Sequence, residues 1–448
     1  MGFTDLRDTL EALGRRGRLM EIDAPVSPRH EAAAVLAQIP DRAVVLRNVS
    51  GHTVPVVGNL LCGREVLAWG LGVEPQGLVR AFHERLASPL PPEEVARAPV
   101  QEEEPPEAPL ERLLPILTHY AEDSGPFVTT ALVSARNPET GAVARGIHRM
   151  ELRGPRELGA ALLNPPLSEL YARHRAAGRP LPAAVAIGID PVTFAAFALK
   201  GAPTADKLAV AGGLRGQPVP VVRARLTGIP VPARAEFLLE GELDPADERD
   251  DGPMGEIGGY ARAFPKTPTF RVRRVTHRPS PLYHALLPAG PEGDRLLAVT
   301  AEAFLPARVG PLFPFVRRLH VVPNTLGSSV VIQMAPAPRE SVRSALVHLL
   351  SLGPVKKAVA VAEDVDPGDP GQVEWALATR FQADRDAVVL EALRGLPIDP
   401  SCPRTFQSAK LALDATGFER VQRHRRATIP AEALRAAREL LRERRPHG

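Results

Sequence analysis

Apolar positions along the chain fall into two rhythms. Behind Thr4, the residues Leu6, Leu10 and Leu13 recur at i, i+4 and i+7, which predicts an amphipathic helix with Thr4 as its N-cap. Short β-branched runs follow at 19–22, 43–48 and 54–59, broken by turn residues and by a helical 29–39, so the chain opens as an α/β module. Residues 88–113 are rich in Pro and Glu with little periodicity and read as an extended connector over the surface. From Phe127 strands dominate. Runs at 128–133 and 144–152 flank a turn at 137–141 and predict a hairpin with a long loop. Alternation on its second strand puts Ile147, Arg149 and Glu151 on one face and His148, Met150 and Leu152 on the other. Arg149 and His148 therefore face different spaces unless a bulge intervenes. A helix over 168–177, a buried strand over 183–188 and further strands at 219–226 and 236–241 complete a β-barrel-like middle domain. Strand and helix then alternate. The helix at 341–351 carries Val342, Ala345, Leu346, Leu349 and Leu350 on one stripe, a strand follows at 357–362, and Asp369 or Gly371 caps a helix at 373–379. Residues 431–444 form a basic amphipathic helix suited to an oligomer contact or a solvated face.

The pattern predicts an α/β (α+β) chain of three parts: an α/β module with its connector over 1–115, a β-rich middle over 116–305 and a C-terminal α/β domain over 306–448. A chain of 448 residues needs more than one core, and 44% hydrophobic with 24% charged residues is a globular composition. The charge of +3 is a small imbalance of 55 basic over 52 acidic residues, and aromatics are only 4%, so neither a phosphate-binding charge excess nor base-stacking platforms point to nucleic acid. Cys62 and Cys402 are too few for a disulfide framework or a cysteine metal site. The helix at the start lacks the apolar core of a signal peptide, and no run approaches a membrane span, so a cytoplasmic location is expected.

The chemistry concentrates in 235–260, AEFLLEGELDPADERDDGPMGEIGGY. It reads as a buried strand, an acidic loop over 242–251 and a turn in which Gly252, Pro253 and Gly255 present Asp251 and Glu256 towards one point. Two carboxyls held together suit acid/base work, because each makes the other harder to ionise. The same composition also suits a solvated loop. His277 and His284 lie just beyond, in reach of a substrate or satisfied within the fold.

Eight segments in order, at 5–26, 54–63, 181–191 (LPAAVAIGIDP), 211–218 (AGGLRGQP), 231–241 (VPARAEFLLEG), 252–260 (GPMGEIGGY), 373–380 (VEWALATR) and 409–417 (AKLALDATG), resemble the UbiD-type decarboxylases, the 3-polyprenyl-4-hydroxybenzoate decarboxylase family, over nearly the whole chain. The resemblance implies a split-barrel domain binding prenylated FMN, loss of CO2 from an aromatic or α,β-unsaturated acid, and homo-oligomers built through the C-terminal domain. It also implies an aromatic acid substrate of ubiquinone or menaquinone assembly and a flavin prenyltransferase that supplies the cofactor. The family's N-x-G-x-Y-R pattern falls on ARGIHR, which makes Arg149 the catalytic arginine, and its E-G-P-x-G-[ED] pattern falls on Asp251 to Glu256. Glu256 is then the proton donor, its pKa raised by burial near another carboxylate, and Asp251 tunes Arg149. Ile147, His148, Arg149, Leu162, Leu163 and Lys207 fall at cofactor-binding positions.

The family's metal ligands do not carry over. Their places hold Ala144, Lys207 and, near the third, Leu167, none of which ligates a divalent cation, so Mn2+ is not expected. A divalent ion plus one Glu leaves about one positive charge, as Lys207 alone does, so the expectation is that Lys207, helped by Arg145 or His148, partners the flavin phosphate. The same loss would also fit a non-catalytic scaffold subunit, or an enzyme using unmodified FMN or no flavin.

Overall fold

The computed structural model describes residues 2–199, 206–353, 355–396, 398–402, 407–418 and 427–443. The first helix, Leu6–Arg15, is capped by Asp5 rather than Thr4: Asp5 accepts from the Asp8 amide, while Thr4 bonds back to the Asp8 carboxylate. The exchange is reciprocal, as in a capping box. Behind it a four-stranded sheet runs Leu19–Ile22, Ala43–Leu46, Val56–Gly58 and Tyr283–His284. The last strand comes from more than two hundred residues downstream and ties the opening module to the middle of the chain.

The middle is an eight-stranded sheet in the order Phe127–Val128, Met150–Gly154, Glu157–Ala160, Ala261–His277, Phe237–Gly255, Leu181–Ile187, Leu132–Arg136, Val143–Ile147. Ile147 ends the strand at one edge and Met150 begins the strand next to the other. Only His148 and Arg149 join them, so the sheet curls until its two edges nearly meet, and these two residues span the seam. The hairpin expected over 128–133 and 144–152 is present as Leu132–Arg136 paired with Val143–Ile147, and only its outer ends are corrected. Both runs break at the same level, and each contributes one piece to either side of the sheet: Val128 pairs with Met150, and Leu132 with Ile147.

The expected acidic loop over 242–251 is also corrected. It is strand, part of Phe237–Gly255, and pairs with Ala261–His277 along one long, repeatedly bulged hairpin. Its charges find partners beside or across the strand. Asp244 and Asp247 pair with Arg271, Glu242 with Arg273, Asp247 with Arg249, and Glu248 with Arg175. Opposite charges across a solvated sheet face replace the apolar alternation that would have marked a strand. Other motif residues also brace the fold. Asp190 caps the helix Pro191–Ala198 and pairs at 2.8 Å with Arg215, both nearly fully buried. Glu236 accepts two bonds from Arg7, of 2.9 and 2.8 Å.

The C-terminal sheet runs Val316–Val321, Ser329–Met334, Lys357–Ala362, Gln407–Ala415, Ala387–Arg394, covered by Arg339–Ser351, whose expected stripe is buried as a whole. Asp369 caps Pro370–Arg380. The helix Pro291–Val309 joins the parts: Leu296, Val299 and Ala303 enter the core shared by the first two modules, while Ala298, Leu305 and Val309 enter the C-terminal core. Its buried Glu292, Asp294 and Glu302 each accept a backbone N–H, from Leu61, Asn324 and Val321. Burial pushes the Glu292 carboxyl from an ordinary 4.5 up to about 7. Between those values the folded chain holds a proton that the unfolded chain has released, so this group's contribution falls as pH rises through that window. Glu292→Gln keeps the acceptor for Leu61. Thermal melts are expected to superimpose on the parent near pH 5 and to lie higher at pH 8; no change in the gap between the two would contradict the burial argument.

Candidate active site

Arg149 leaves the seam and reaches the far end of the long hairpin. Its Nε and Nη2 donate to Asp251 Oδ1 at 2.8 and 2.5 Å, Nη1 donates to Glu256 Oε1 at 2.6 Å, and Nη2 also donates to the Arg262 carbonyl at 2.9 Å. The guanidinium carbon lies 4.7 Å from the centre of the Phe264 ring and 5.6 Å from that of Phe127. Arginine suits this place because its planar fork serves two acids and a carbonyl at once while its face rests on aromatic carbon. The three residues read from sequence as catalytic thus meet at one point.

The two carboxyls differ in setting. Asp251 is fully buried, and its Oδ2 has no hydrogen-bond partner among the described residues. Burial raises its pKa, against the opposing pull of Arg149. Glu256 sits where the chain turns, with its side chain 16% exposed. It is the acid with a path outward.

The turn is shaped by its glycines and braced from behind. Gly252 has φ +85°, and a Cβ there would stand 2.8 Å from the Arg262 carbonyl oxygen and 2.9 Å from Arg149 Nη2. A Cβ on Gly255 would enter the Tyr120 ring, 2.2 Å from its nearest carbon. Asp123 accepts from the amides of His119, Tyr120 and Gly255, and Ser124 N–H donates to the Pro253 carbonyl at 2.8 Å. The bracing by 119–124, and the part of Phe264, carry no spacing signal in the sequence, because a buttress from a distant loop leaves none.

The remaining candidate residues divide between two faces. His148 is buried; its Nδ1 lies 2.9 Å from the Ala161 carbonyl and its Nε2 faces Gly146. Burial pushes it down to about 4, so it is neutral at pH 7. Leu162 and Leu163 follow Ala161, whose N–H bonds to the Arg149 carbonyl, and so run beside the seam. Ile147 is half-buried against the core that includes Pro191–Ala198. Lys207 begins the helix Lys207–Arg215, and its ammonium donates to the Leu199 carbonyl. His277 lies at the opposite end of the hairpin, paired with Phe237, and His284 packs edge-on against Phe194. Neither histidine joins the Arg149 cluster.

Family models for the N-terminal, Rift-related and C-terminal domains of 3-octaprenyl-4-hydroxybenzoate carboxy-lyase match residues 10–86, 93–291 and 294–415. The chain belongs to the UbiD family. That family consists of carboxy-lyases, and this chain is 32% identical over 438 residues to the anhydromevalonate phosphate decarboxylase of Methanosarcina mazei, covering 95% of this chain and 99% of that protein. Among solved UbiD structures, HmfF of Pelotomaculum thermopropionicum in complex with FMN is 33% identical with a TM-score of 0.91, covering 97% and 99% of the two chains. A 3,4-dihydroxybenzoic acid decarboxylase of Enterobacter cloacae is 28% identical with a TM-score of 0.88, covering 98% and 100%. UbiD relatives thus carry names for acids of quite different chemistry, and the match does not single out quinone assembly.

Proposed function

We propose that this UbiD-family chain decarboxylates an aromatic or otherwise α,β-unsaturated carboxylic acid with the help of prenylated FMN. The observation that carries the reading is one guanidinium held by two carboxylates, one sealed in the protein and one open to the outside. A substrate carboxylate taking Arg149 Nη1 releases Glu256 from the guanidinium, and Glu256 is then free to carry the proton that the product carbon needs. Asp251 stays on Nε and Nη2 and fixes the fork in place. Phe127 and Phe264 keep water from the guanidinium face.

The flavin's fit rests on the cations present. Among the described residues Arg145 has a buried Nη2 without a partner and the Lys207 ammonium bonds one carbonyl, so an anionic phosphate finds donors there. Ile147, Leu162 and Leu163 offer apolar surface beside the seam for the ring system. The modified flavin, when bound, supplies the electron sink that holds the carbon electrons as CO2 leaves. The Mn2+ of the family does not fit: Leu167 is fully buried, its Cδ1 would lie 3.5 Å from a Cβ built on Gly146, and Ala144 beside it is apolar.

The exposed helix Ala431–Glu443 is proposed as part of a homo-oligomer contact, a flavin prenyltransferase as the cofactor's source and the cytoplasm as the location. Among the described residues no helix is long and apolar enough to cross a membrane. Protein co-produced with a flavin prenyltransferase should release CO2 from at least one acid in a panel spanning hydroxybenzoates, quinone-precursor acids and phosphorylated alkenoic acids. Flavin-loaded protein inert to all of them would favour the second reading, a non-catalytic partner subunit, which the replaced metal ligands support.

A further inference from the structure

The strand Val143–Ile147 has two faces. On one, Ala144 and Gly146 meet Leu167 and the His148 ring. On the other, Arg145 is wholly buried and turned to the start of the helix Lys207–Arg215. Its Nε donates to Asp206 Oδ1 at 2.8 Å and its Nη1 to Ser134 Oγ at 2.8 Å, while Nη2 is buried with no partner among the described residues. Asp206 is the N-cap of that helix and also accepts from the Leu208 amide, so the guanidinium sits at the positive end of a nine-residue helix. Lys207 is next in the chain, half-buried, and has no carboxylate partner among the described residues. Among the described residues Arg145 and Lys207 set two cations against Asp206, with Arg136 a further cation acting on Arg145. Arg145 itself is wholly buried, and a buried charge that is only partly paired is costly without an anion to meet it.

Resting on the flavin-dependent reading above, we propose that Arg145 Nη2, the Lys207 ammonium and the N-terminal end of the Lys207–Arg215 helix hold the flavin phosphate directly, with no metal ion between them. The structure moves the leading part from Lys207 to Arg145. Lys207 already spends a donor on Leu199, and His148 is neutral, bonded to Ala161 and on the other face of the strand. Burial brings Lys207 down to about 8 and also lowers Arg145; a phosphate beside them would restore both. Arg145 and Lys207 against Asp206 supply at least the positive charge that a divalent ion with a single carboxylate would, so a phosphomonoester is met without the ion.

The test uses the full chain, stripped of flavin, in EDTA, titrated separately with FMN and with riboflavin, which lacks the phosphate. FMN should bind in EDTA and riboflavin markedly more weakly. Arg145→Met should weaken FMN by about 10- to 100-fold, the scale of a charge-assisted hydrogen bond, and leave riboflavin unchanged. Lys207→Met should give a smaller loss of the same kind. Asp206 is partly exposed and can be solvated when Arg145 is lost; should Arg145→Met nonetheless melt early, Arg145→Lys and Lys207→Met carry the comparison. Variants that keep the parent's FMN-to-riboflavin ratio would overturn the phosphate assignment, as would FMN binding that requires added Mn2+. A folded parent chain that binds neither flavin would overturn this assignment and the flavin-dependent reading together, whereas an unchanged ratio leaves that reading standing.

Discussion

Glu256→Gln is expected to lower decarboxylation by roughly 10²- to 10⁴-fold, the usual contribution of a positioned general acid. The amide keeps an oxygen to accept from Arg149 Nη1, and the residue sits at a solvent-facing turn whose backbone is fixed independently, by the Glu256 N–H to Tyr260 carbonyl bond of 3.0 Å. Stability should therefore barely change. What is lost is the ability to deliver a proton to carbon. Steady-state CO2 release by the flavin-loaded variant, with product deuteration followed in D2O, reads this out. A variant that turns over and deuterates its product at the parent's rate would remove Glu256 from the donor role.

Arg149→Met is expected to abolish turnover and also to destabilise the fold, by about 3–5 kcal/mol, because it strips a buried carboxylate of its partner. Asp251 is fully buried, and its pKa already lies above the ordinary 3.8 although Arg149 opposes the shift. A folded-state carboxyl with a raised pKa holds its proton longer than the unfolded chain does, so its contribution to stability declines as pH rises from the unfolded to the folded pKa. Without Arg149 the folded value moves further up and that window widens. The gap in melting temperature between parent and variant should consequently be larger at pH 8 than at pH 5. Adding Asp251→Asn should recover part of it. An equal gap at both pH values, or no recovery, would show that Arg149 stabilises by packing on Phe127 and Phe264 alone.

Elements whose apolar residues form one stripe or one short run were legible in the chain. Arg339–Ser351 buries the stripe expected of it, and Lys357–Ala362, an apolar Ala/Val run, is the buried strand expected there, its alternate residues entering two cores. The helix Pro291–Val309 was not legible, because it serves two cores and its apolar residues surround it instead of forming a stripe. The charged half of Phe237–Gly255 looked like a loop for the opposite reason: most of its partners, Arg271, Arg273 and Arg175, lie on other elements, which no local window contains.

By itself the sequence determined which side chains could do the chemistry. Asp251 and Glu256 stand at a turn whose glycines and proline dictate a side-chain-poor backbone, and Ala144, Leu167 and Lys207 stand where the family resemblance would place metal ligands; both are matters of residue identity. Tertiary structure alone decided how these residues meet. Arg149 reaches two acids more than a hundred positions away only because an eight-stranded sheet curls until a two-residue link bridges its edges. Alternation already puts Arg145 and His148 on opposite faces, but which partners each face meets, Asp206 for one and Ala161 for the other, depends on pairing between strands distant in sequence, which is not written in any local pattern.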